Sequence, residues 1–230
     1  MRILKQLKNM STIISYHNNK LDFWYTSLFI ILGVAIQALC FYTHNESWLS
    51  LVSGLFGLFA VVLCASKRMS MYIFSYIQLC TYLVLANQQH LYGEIFENVF
   101  YFVTLIMGMF IWNKSYDNAK NEVISKQLTL KDNILLGCIV TILIIILWQI
   151  LKLTNDTQPF LDSLTTVPAF VAQILLIFRF REQWIYWLII DVTSALMWYI
   201  AGDYIMMTQF IFWTINCFYG YYKWKQINNN

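Results

Sequence analysis

The stretch QWIYWLIIDVTSALMWYIAG, residues Gln183–Gly202, decides the fold. Its twenty residues are the length that a helix needs to cross the hydrocarbon core of a bilayer, and only Asp191 among them is charged. Apolar segments of similar length flank it at Phe160–Phe178 and Tyr204–Tyr222. This succession predicts a chain that crosses a membrane several times as α-helices.

The composition of the whole chain agrees with that prediction. Hydrophobic residues make up 59% of the 230 residues and charged residues only 12%, about half of what a soluble domain carries. These values exclude a soluble enzyme, a disordered chain and a nucleic-acid binder. Two prolines and eight glycines argue against a β-rich fold. The five cysteines all fall in apolar stretches, so we expect buried or lipid-facing thiols and no disulfides.

Eight apolar segments can be recognised along the chain, and we predict eight transmembrane helices. The predicted spans are Phe23–Asn45, 47–66, 70–92, Ile95–Asn113, Asn133–Leu151, Phe160–Phe178, Gln183–Gly202 and Tyr204–Tyr222.

The basic residues predict the orientation of these helices. If both termini are cytoplasmic, fourteen of the fifteen Lys and Arg residues lie in cytoplasmic segments, and only Lys152 lies outside. This is a strong positive-inside bias, and adding or removing one helix would destroy it. The loops are short, the longest running from Lys114 to Asp132. Any function must therefore reside within the membrane.

An internal repeat relates two parts of the chain. Shifting the sequence by 112 positions places Trp48–Trp112 on Phe160–Trp224 without a gap and gives ten identities in 65 positions. Each copy contains three helices, and the fifth helix returns the chain to the starting side, so the repeat is parallel in a 3+1+3 arrangement. Helix 1 stands outside the repeat. The predicted domains are 1–45 with the extra helix, 46–114 with the first repeat, 115–157 with the linker helix, and 158–230 with the second repeat.

Asp191 is the most informative residue in the predicted membrane region. A carboxylate at this depth costs about 2.5–3.5 kcal/mol on insertion scales, and such residues commonly mark substrate pathways. Trp184 and Trp187 precede it by seven and four residues, which places all three on one helical face. We predict that this face forms one wall of a substrate cavity. The alternative is a carboxyl group that only ties helices together.

Four amide side chains lie in other predicted spans, and each offers donors and an acceptor to a polar ligand. They are Gln78, Asn98, Gln173 and Asn216. Thr104 is the repeat counterpart of Asn216, and Tyr101 is a candidate for stacking on a ligand ring. The alternative for each amide is a hydrogen bond between helices, worth about 0.6 kcal/mol.

No motif of an intramembrane enzyme is recognisable, and no spacing of ligands indicates a metal or another cofactor. Pro168 interrupts the sixth segment just after Thr165 and Thr166. It predicts either a kink beside the cavity or gate, or a kink compensated by the two threonines.

Several stretches resemble the PnuC family of bacterial nicotinamide riboside transporters. The similar stretches are LYGEIFEN (Leu91–Asn98), LDSLTTV (Leu161–Val167), AQ (Ala172–Gln173), EQWIYWLIIDV (Glu182–Val192) and NCFYGYYKWK (Asn216–Lys225). Their order and spacing cover about residues 46–225 and make the resemblance more specific than any one stretch.

The resemblance implies a fold related to SWEET transporters and uptake of unphosphorylated nicotinamide riboside across the inner membrane. It also implies facilitated diffusion, no cofactor, and a cytoplasmic riboside kinase that traps the product for NAD biosynthesis. A homo-oligomer is a further expectation. The matching positions that would bind the ligand are Gln173, Trp184, Trp187, Asp191, Asn98 and Asn216.

Two other functions remain open at the level of the sequence. A transporter of the same fold could carry thiamine or riboflavin. A membrane receptor or scaffold could bind a ligand without moving it.

Overall fold

The structure is a computed structural model that describes residues 2–44, 47–88, 92–118, 122–153 and 159–225. Eight helices and one short hairpin make up the described part of the chain. The helices are α1 (Arg2–His44), α2 (Trp48–Ala65), α3 (Met71–Gln88), α4 (Tyr92–Asn113), α5 (Leu130–Leu151), α6 (Pro159–Ile177), α7 (Gln183–Ala201) and α8 (Tyr204–Lys225).

The prediction of eight helices is therefore confirmed, and the chain is an all-α, multi-pass membrane protein. Four helices in the described ranges are long and apolar enough to span a membrane on length and composition alone: Asp22–His44, Trp48–Ala65, Leu130–Leu151 and Pro159–Ile177. The other four contain polar residues, many of which face the interior of the protein.

Two local features differ from the sequence prediction. Helix α1 begins at Arg2, about twenty residues before the expected start of the span. The loop between α4 and α5 contains an antiparallel hairpin, β1 (Tyr116–Asp117) and β2 (Glu122–Val123). Two predicted domain boundaries, at 45/46 and 157/158, lie outside the described residues, as does Lys120.

Six helices form a closed ring. The packing order is α2, α3, α4, α6, α7, α8 and back to α2. Helix α1 packs against both α2 and α8, whereas α5 packs substantially only against α6 among the described elements. We call α2–α4 the first unit and α6–α8 the second unit. Two seams, α2 with α8 and α4 with α6, join the units.

The first helix of each unit ends in the same way. The backbone turns left-handed at Lys67 (φ 57°) and at Arg179 (φ 66°), which are 112 residues apart. The amides of Lys67 and Arg68 donate to the carbonyls of Cys64 and Leu63, and two equivalent bonds close α6. This double bond pattern is the Schellman motif, in which Gly is the usual residue at the left-handed position. A cation there lies beside the exposed helix carbonyls, which favours positive charge.

A pair of tryptophans connects the units across the two seams. Trp112 donates its indole N–H to the carbonyl of Leu176 at 3.1 Å, and Trp224 donates to the carbonyl of Cys64 at 3.3 Å. Both are buried, and their rings are 5.8 Å apart. Each bond joins the last helix of one unit to the first helix of the other. The two bonds are equivalent under the shift of 112 residues.

The α4–α5 linker covers the end of the ring where α2, α4, α6 and α8 terminate, which we call the linker face. The amide of Val123 donates to the carbonyl of Lys67, and the amide of Lys126 donates to the carbonyl of Arg179. Glu122 lies between Lys67 Nζ, at 3.6 Å, and Lys223 Nζ, at 3.4 Å. The linker thus contacts both units at equivalent positions.

Candidate ligand cavity

A cavity of about 170 Å³ lies inside the ring of six helices. Every helix of the ring contributes to its wall. The lining residues are Gly57, Ala60, Val61, Cys64, Met71, Ser75, Gln78, Leu79, Tyr82, Glu97, Asn98, Tyr101, Leu105, Thr165, Gln173, Leu176, Trp184, Trp187, Ile190, Asp191, Ser194, Phe210, Trp213 and Cys217.

Asp191 lies in this wall as the sequence predicts. Its side chain is buried, and its Oδ2 accepts a hydrogen bond from the thiol of Cys217 at 3.2 Å. Its Oδ1 is buried and has no hydrogen-bond partner. A buried polar atom without a partner is costly, because its lost hydration is not replaced. A donor or a cation entering the cavity would satisfy this oxygen.

Trp184 and Trp187 line the cavity on the same helix, at the spacing that the sequence predicts. Trp184 packs directly on Gly220, where an added Cβ would lie 2.5 Å from the indole ring. Its indole N–H is buried and unpaired. Trp187 lies 6.0 Å from the ring of Tyr101, centroid to centroid. Together these rings give the cavity aromatic walls on two sides.

The predicted amides divide into two groups. Gln78, Asn98 and Gln173 line the cavity. Gln173 donates to the hydroxyl of Thr104 at 2.9 Å, which fixes the orientation of the amide. Thr104 therefore supports a lining residue and does not itself line the cavity.

Asn216 does not line the cavity either. Its amide donates to the carbonyl of Val61 at 3.0 Å, and its oxygen accepts from the hydroxyl of Tyr25 in α1 at 3.4 Å. The side chain is fully buried in the seam between the units. Asn216 therefore forms hydrogen bonds between helices, which is the alternative to ligand binding given in the sequence analysis.

The sequence did not single out several lining residues. The sequence predicts a buried or lipid-facing thiol at Cys217, and the structure shows that this thiol also donates a hydrogen bond to Asp191. Its spacing from Asp191 carries no signal, because the two residues are on different helices. Pro168, in contrast, does not line this cavity and faces a separate crevice beside α5.

Two apolar clusters lie at the two ends of the cavity. One, at the linker face, contains Trp112, Trp224 and Tyr72 together with Trp184. The other contains Tyr82, Trp198 and Phe210 with Ile205 and Met206. Both clusters share residues with the lining, among them Leu79 and Tyr82, and they form the apolar part of its wall.

The charges of the lining are few. Asp191 and Glu97 are acidic, and no Lys or Arg is found among the described residues that line the cavity. Glu97 lies 3.4 Å from the hydroxyl of Tyr101. Within the described ranges, no group of three or more His, Cys, Asp or Glu residues could hold a metal ion. The described lining therefore offers acidic, amide and aromatic groups to a ligand and no basic group.

Two three-helix units that form a ring around a cavity in the membrane are an architecture typical of transporters. Comparison with known proteins identifies the family. Residues 47–226 match the family described as nicotinamide mononucleotide transporter, and the chain belongs to that family.

Curated relatives and a solved structure are similar over most of this chain. The nicotinamide riboside transporter PnuC of Haemophilus influenzae is 30% identical over 204 residues, covering 87% of this chain and 89% of the relative. PnuC of Neisseria mucosa is 27% identical, covering 88% and 81%. The crystal structure of the vitamin B3 transporter PnuC superposes with a TM-score of 0.76 at 26% identity, covering 88% of this chain and 91% of that one.

Proposed function

We propose that this transporter carries unphosphorylated nicotinamide riboside across the bacterial inner membrane by facilitated diffusion, and thereby supplies NAD biosynthesis. The observation that carries the proposal is the unpartnered Oδ1 of Asp191 beside the rings of Trp184 and Trp187. The pyridinium ring of this riboside bears a fixed positive charge. Desolvating such a charge is costly unless the cavity replaces its hydration.

The aromatic and acidic residues supply that replacement. A cation over the face of a tryptophan gains about 0.5–2 kcal/mol. Asp191 adds an acceptor, and Cys217 holds its other oxygen in place. We assign the pyridinium to this part of the wall. Gln173, Asn98 and Gln78 are suited to the carboxamide and the ribose hydroxyls, while Thr104 and Asn216 support the wall from behind.

The phosphorylated nucleotide fits the lining poorly. A phosphate needs basic groups or several directed donors, and the described lining contains two acids and no Lys or Arg. The family is described as a transporter of the mononucleotide, whereas its curated relatives are described as transporters of the riboside. The charges of the cavity support the riboside.

The size of the cavity favours a change of conformation during transport. Its volume of about 170 Å³ is smaller than the roughly 300–1,000 Å³ of common ligand sites. We infer that the two units move apart when the ligand enters and close around it. Two three-helix units with equivalent contacts at both seams are well suited to such a motion. The orientation with both termini in the cytoplasm belongs to the same proposal.

Counterflow in proteoliposomes tests the proposal directly. Vesicles preloaded with unlabelled nicotinamide riboside should accumulate the labelled riboside transiently, without a proton or sodium gradient. A receptor or scaffold that only binds gives no counterflow. Accumulation driven uphill by either gradient would contradict facilitated diffusion.

Calorimetry with a panel of ligands tests the substrate. Nicotinamide riboside should bind more tightly than its 5′-phosphate, thiamine or riboflavin. Tighter binding of thiamine or riboflavin would favour the second candidate, a vitamin transporter of the same fold. A homo-oligomer and a functional link to a cytoplasmic riboside kinase remain parts of the proposal, to be tested by the mass of the purified complex and by uptake in cells lacking the kinase.

A further inference from the structure

A second cavity lies outside the ring, between α5 and the second unit. It is a crevice of about 480 Å³ and shares no residue with the central cavity. Its walls come mainly from α5 and the first half of α7. The lining residues are Leu130, Asn133, Gly137, Val140, Thr141, Ile144, Pro168, Arg181, Glu182, Ile185, Tyr186, Ile189 and Tyr221.

The loose packing of α5 creates this crevice. Of the described residues of α5, only Val140 is buried. A Cβ added at Gly137 would have no neighbouring atom within 4 Å. The middle of the crevice is lined by Val140, Ile144 and Ile189, so an apolar chain could lie along it. A space of this kind at membrane depth is in contact with lipid.

The end of the crevice at the linker face is basic. The linker runs beside the α6–α7 turn, where the amide of Arg181 donates to the carbonyl of Lys126 at 2.9 Å. Among the described residues that line the crevice, the charged ones are Arg181 and its neighbour Glu182. Lys126 and Arg179 lie around this end without lining it: the ammonium of Lys126 is 5.6 Å from the centre of the Phe180 ring, and Arg179 donates to the carbonyl of Ile124 at 2.8 Å. The exposed Lys131 and the acid Asp132 follow in the first turn of α5.

Both acids already have partners. Glu182 accepts from the amide of Leu128 through Oε2, at 3.1 Å. Asp132 accepts a hydrogen bond from the hydroxyl of Thr129 at the start of α5. These neutral donors leave both carboxylates charged, and Glu182 also pairs with Arg181. The two acids therefore offset two of the four cations around this end, which keeps an excess of positive charge.

Arg181 lies where the basic end meets the apolar part of the crevice. Its Nη2 donates to the hydroxyl of Tyr221 at 3.0 Å, and the guanidinium lies 4.3 Å from the centre of that ring. Its Nε is 3.8 Å from Glu182 Oε1, too far for a hydrogen bond, and has no acceptor. The guanidinium is thus held in place by Tyr221 and Glu182, and its Nε is a buried donor without an acceptor.

We propose that this crevice binds an anionic phospholipid. The phosphate of the head group pairs with Arg181 and the neighbouring lysines, and one acyl chain lies along Gly137, Val140 and Ile144. Basic pockets between membrane helices recognise anionic head groups in this way, and each basic residue contributes about 1 kcal/mol. The lipid would complete the contact between α5 and the second unit. The proposal does not depend on which vitamin is transported.

Native mass spectrometry of the delipidated protein tests it, with phosphatidylglycerol and phosphatidylethanolamine of identical acyl chains as probes. We expect phosphatidylglycerol to bind at least about fivefold more tightly than phosphatidylethanolamine, because one basic residue contributes about that factor. Arg181→Gln should lower this preference by a similar factor while leaving phosphatidylethanolamine unchanged. Arg181→Lys should retain most of it, and separates the effect of charge from a folding defect.

Gly137→Leu tests the position of the acyl chain. The added side chain fills open space, so the fold should be retained and the binding of both lipids should fall several-fold. Leu135→Phe adds bulk to the exposed face of α5, outside the crevice, and Lys114→Gln removes an exposed charge elsewhere on the linker face. Both control variants should bind lipid as the unchanged protein does.

Four results would overturn the proposal. The first is equal binding of the two lipids to the unchanged protein. The second is unchanged binding of phosphatidylglycerol in both Arg181→Gln and Gly137→Leu. The third is displacement of phosphatidylglycerol by millimolar inorganic phosphate alone, which would indicate a site for free anions. The fourth is a loss of oligomer mass in Gly137→Leu without loss of lipid, which would assign the crevice to a contact between copies of the chain.

Discussion

The two three-helix units have equivalent left-handed turns and tryptophan hydrogen bonds but different cavity walls. In nine pairs of positions that are 112 residues apart, both residues line the cavity. The two residues differ in type in every one of these pairs. The pairs are Val61 with Gln173, Cys64 with Leu176, Ser75 with Trp187, Gln78 with Ile190, Leu79 with Asp191, Tyr82 with Ser194, Asn98 with Phe210, Tyr101 with Trp213, and Leu105 with Cys217. Some pairs outside the cavity have the same residue type at both positions, such as Trp112 with Trp224 and Gly108 with Gly220.

This difference separates two requirements of a transporter. Under the proposed mechanism the two halves open and close alike, and the equivalent tryptophan hydrogen bonds of the two seams fit that requirement. Binding a ligand without symmetry needs different groups on the two sides. Asp191, Trp187 and Cys217 lie in the second unit, while their counterparts Leu79, Ser75 and Leu105 offer neither charge nor an aromatic ring. We infer that recognition of the cationic ring lies mainly in the second unit.

The largest effect is expected when the second unit receives a residue of the first. Trp187→Ser installs the residue of its counterpart Ser75 and removes an aromatic wall of the cavity. Loss of about 2 kcal/mol of cation–π interaction corresponds to about 30-fold weaker binding of nicotinamide riboside by calorimetry. Tyr186→Ser, outside the central cavity, is the matched control. Unchanged affinity in Trp187→Ser would remove this ring from the binding site.

A somewhat smaller and more selective effect is expected at Asp191. Asp191→Asn keeps the shape of the side chain and removes its charge. Binding of the cationic riboside should weaken about tenfold, or about 1.4 kcal/mol. The uncharged reduced riboside should lose much less. Parallel titrations of both ligands measure the ratio, and equal losses would show that Asp191 acts only through hydrogen bonds.

Equivalent substitutions in the two units should lower the stability of the scaffold by similar amounts, although equivalent substitutions in the cavity have different effects on binding. Trp112→Phe removes the indole donor to Leu176, and Trp224→Phe removes the indole donor that the carbonyls of Cys64 and Ala65 share. Each should lower the free energy of unfolding by about 1–2 kcal/mol, because a buried carbonyl loses a donor. Thermal unfolding in detergent should give similar shifts for the two variants. A shift in only one of them would contradict the equivalence of the seams.

The sequence predicted the helices and the α7 face well, for physical reasons. Long apolar segments have few alternatives to a membrane helix. Spacings of three, four and seven residues fix which side chains share a face, so Trp184, Trp187 and Asp191 could be placed together. Both inferences use only local geometry along one helix, which is why the structure agrees with them.

The rest depends on how separate helices face one another. Asn216 and Asn98 are similar amides in equivalent helices, yet only Asn98 lines the cavity. Helices that are apolar on most sides give little periodic signal for the inner face. The bond between Cys217 and Asp191, the hairpin in the linker and the crevice beside α5 likewise arise from packing between elements.

The smallest predicted effect compares the two left-handed turns at the linker face. Burial lowers the pKa of Lys67 to about 8, partly opposed by Glu122. Burial also lowers the pKa of its counterpart Arg179, but an arginine stays protonated throughout this range. A lysine whose pKa is lowered in the folded state destabilises the fold most below that pKa. The unfolded chain binds more protons between pH 8 and about 10.4, so stability rises with pH there.

Comparison with Lys67→Met isolates this contribution. Between pH 8 and 9.5 the unchanged protein should gain about 1.6 kcal/mol of stability relative to Lys67→Met, measured as midpoints of unfolding in detergent. Arg179→Met is the matched control at the equivalent turn, and its difference from the unchanged protein should not vary with pH over the same range. A pH-dependent difference for Arg179→Met would show that the two turns are equivalent in their titration as well. Parallel curves for Lys67→Met and the unchanged protein would show that Lys67 stays charged throughout this range.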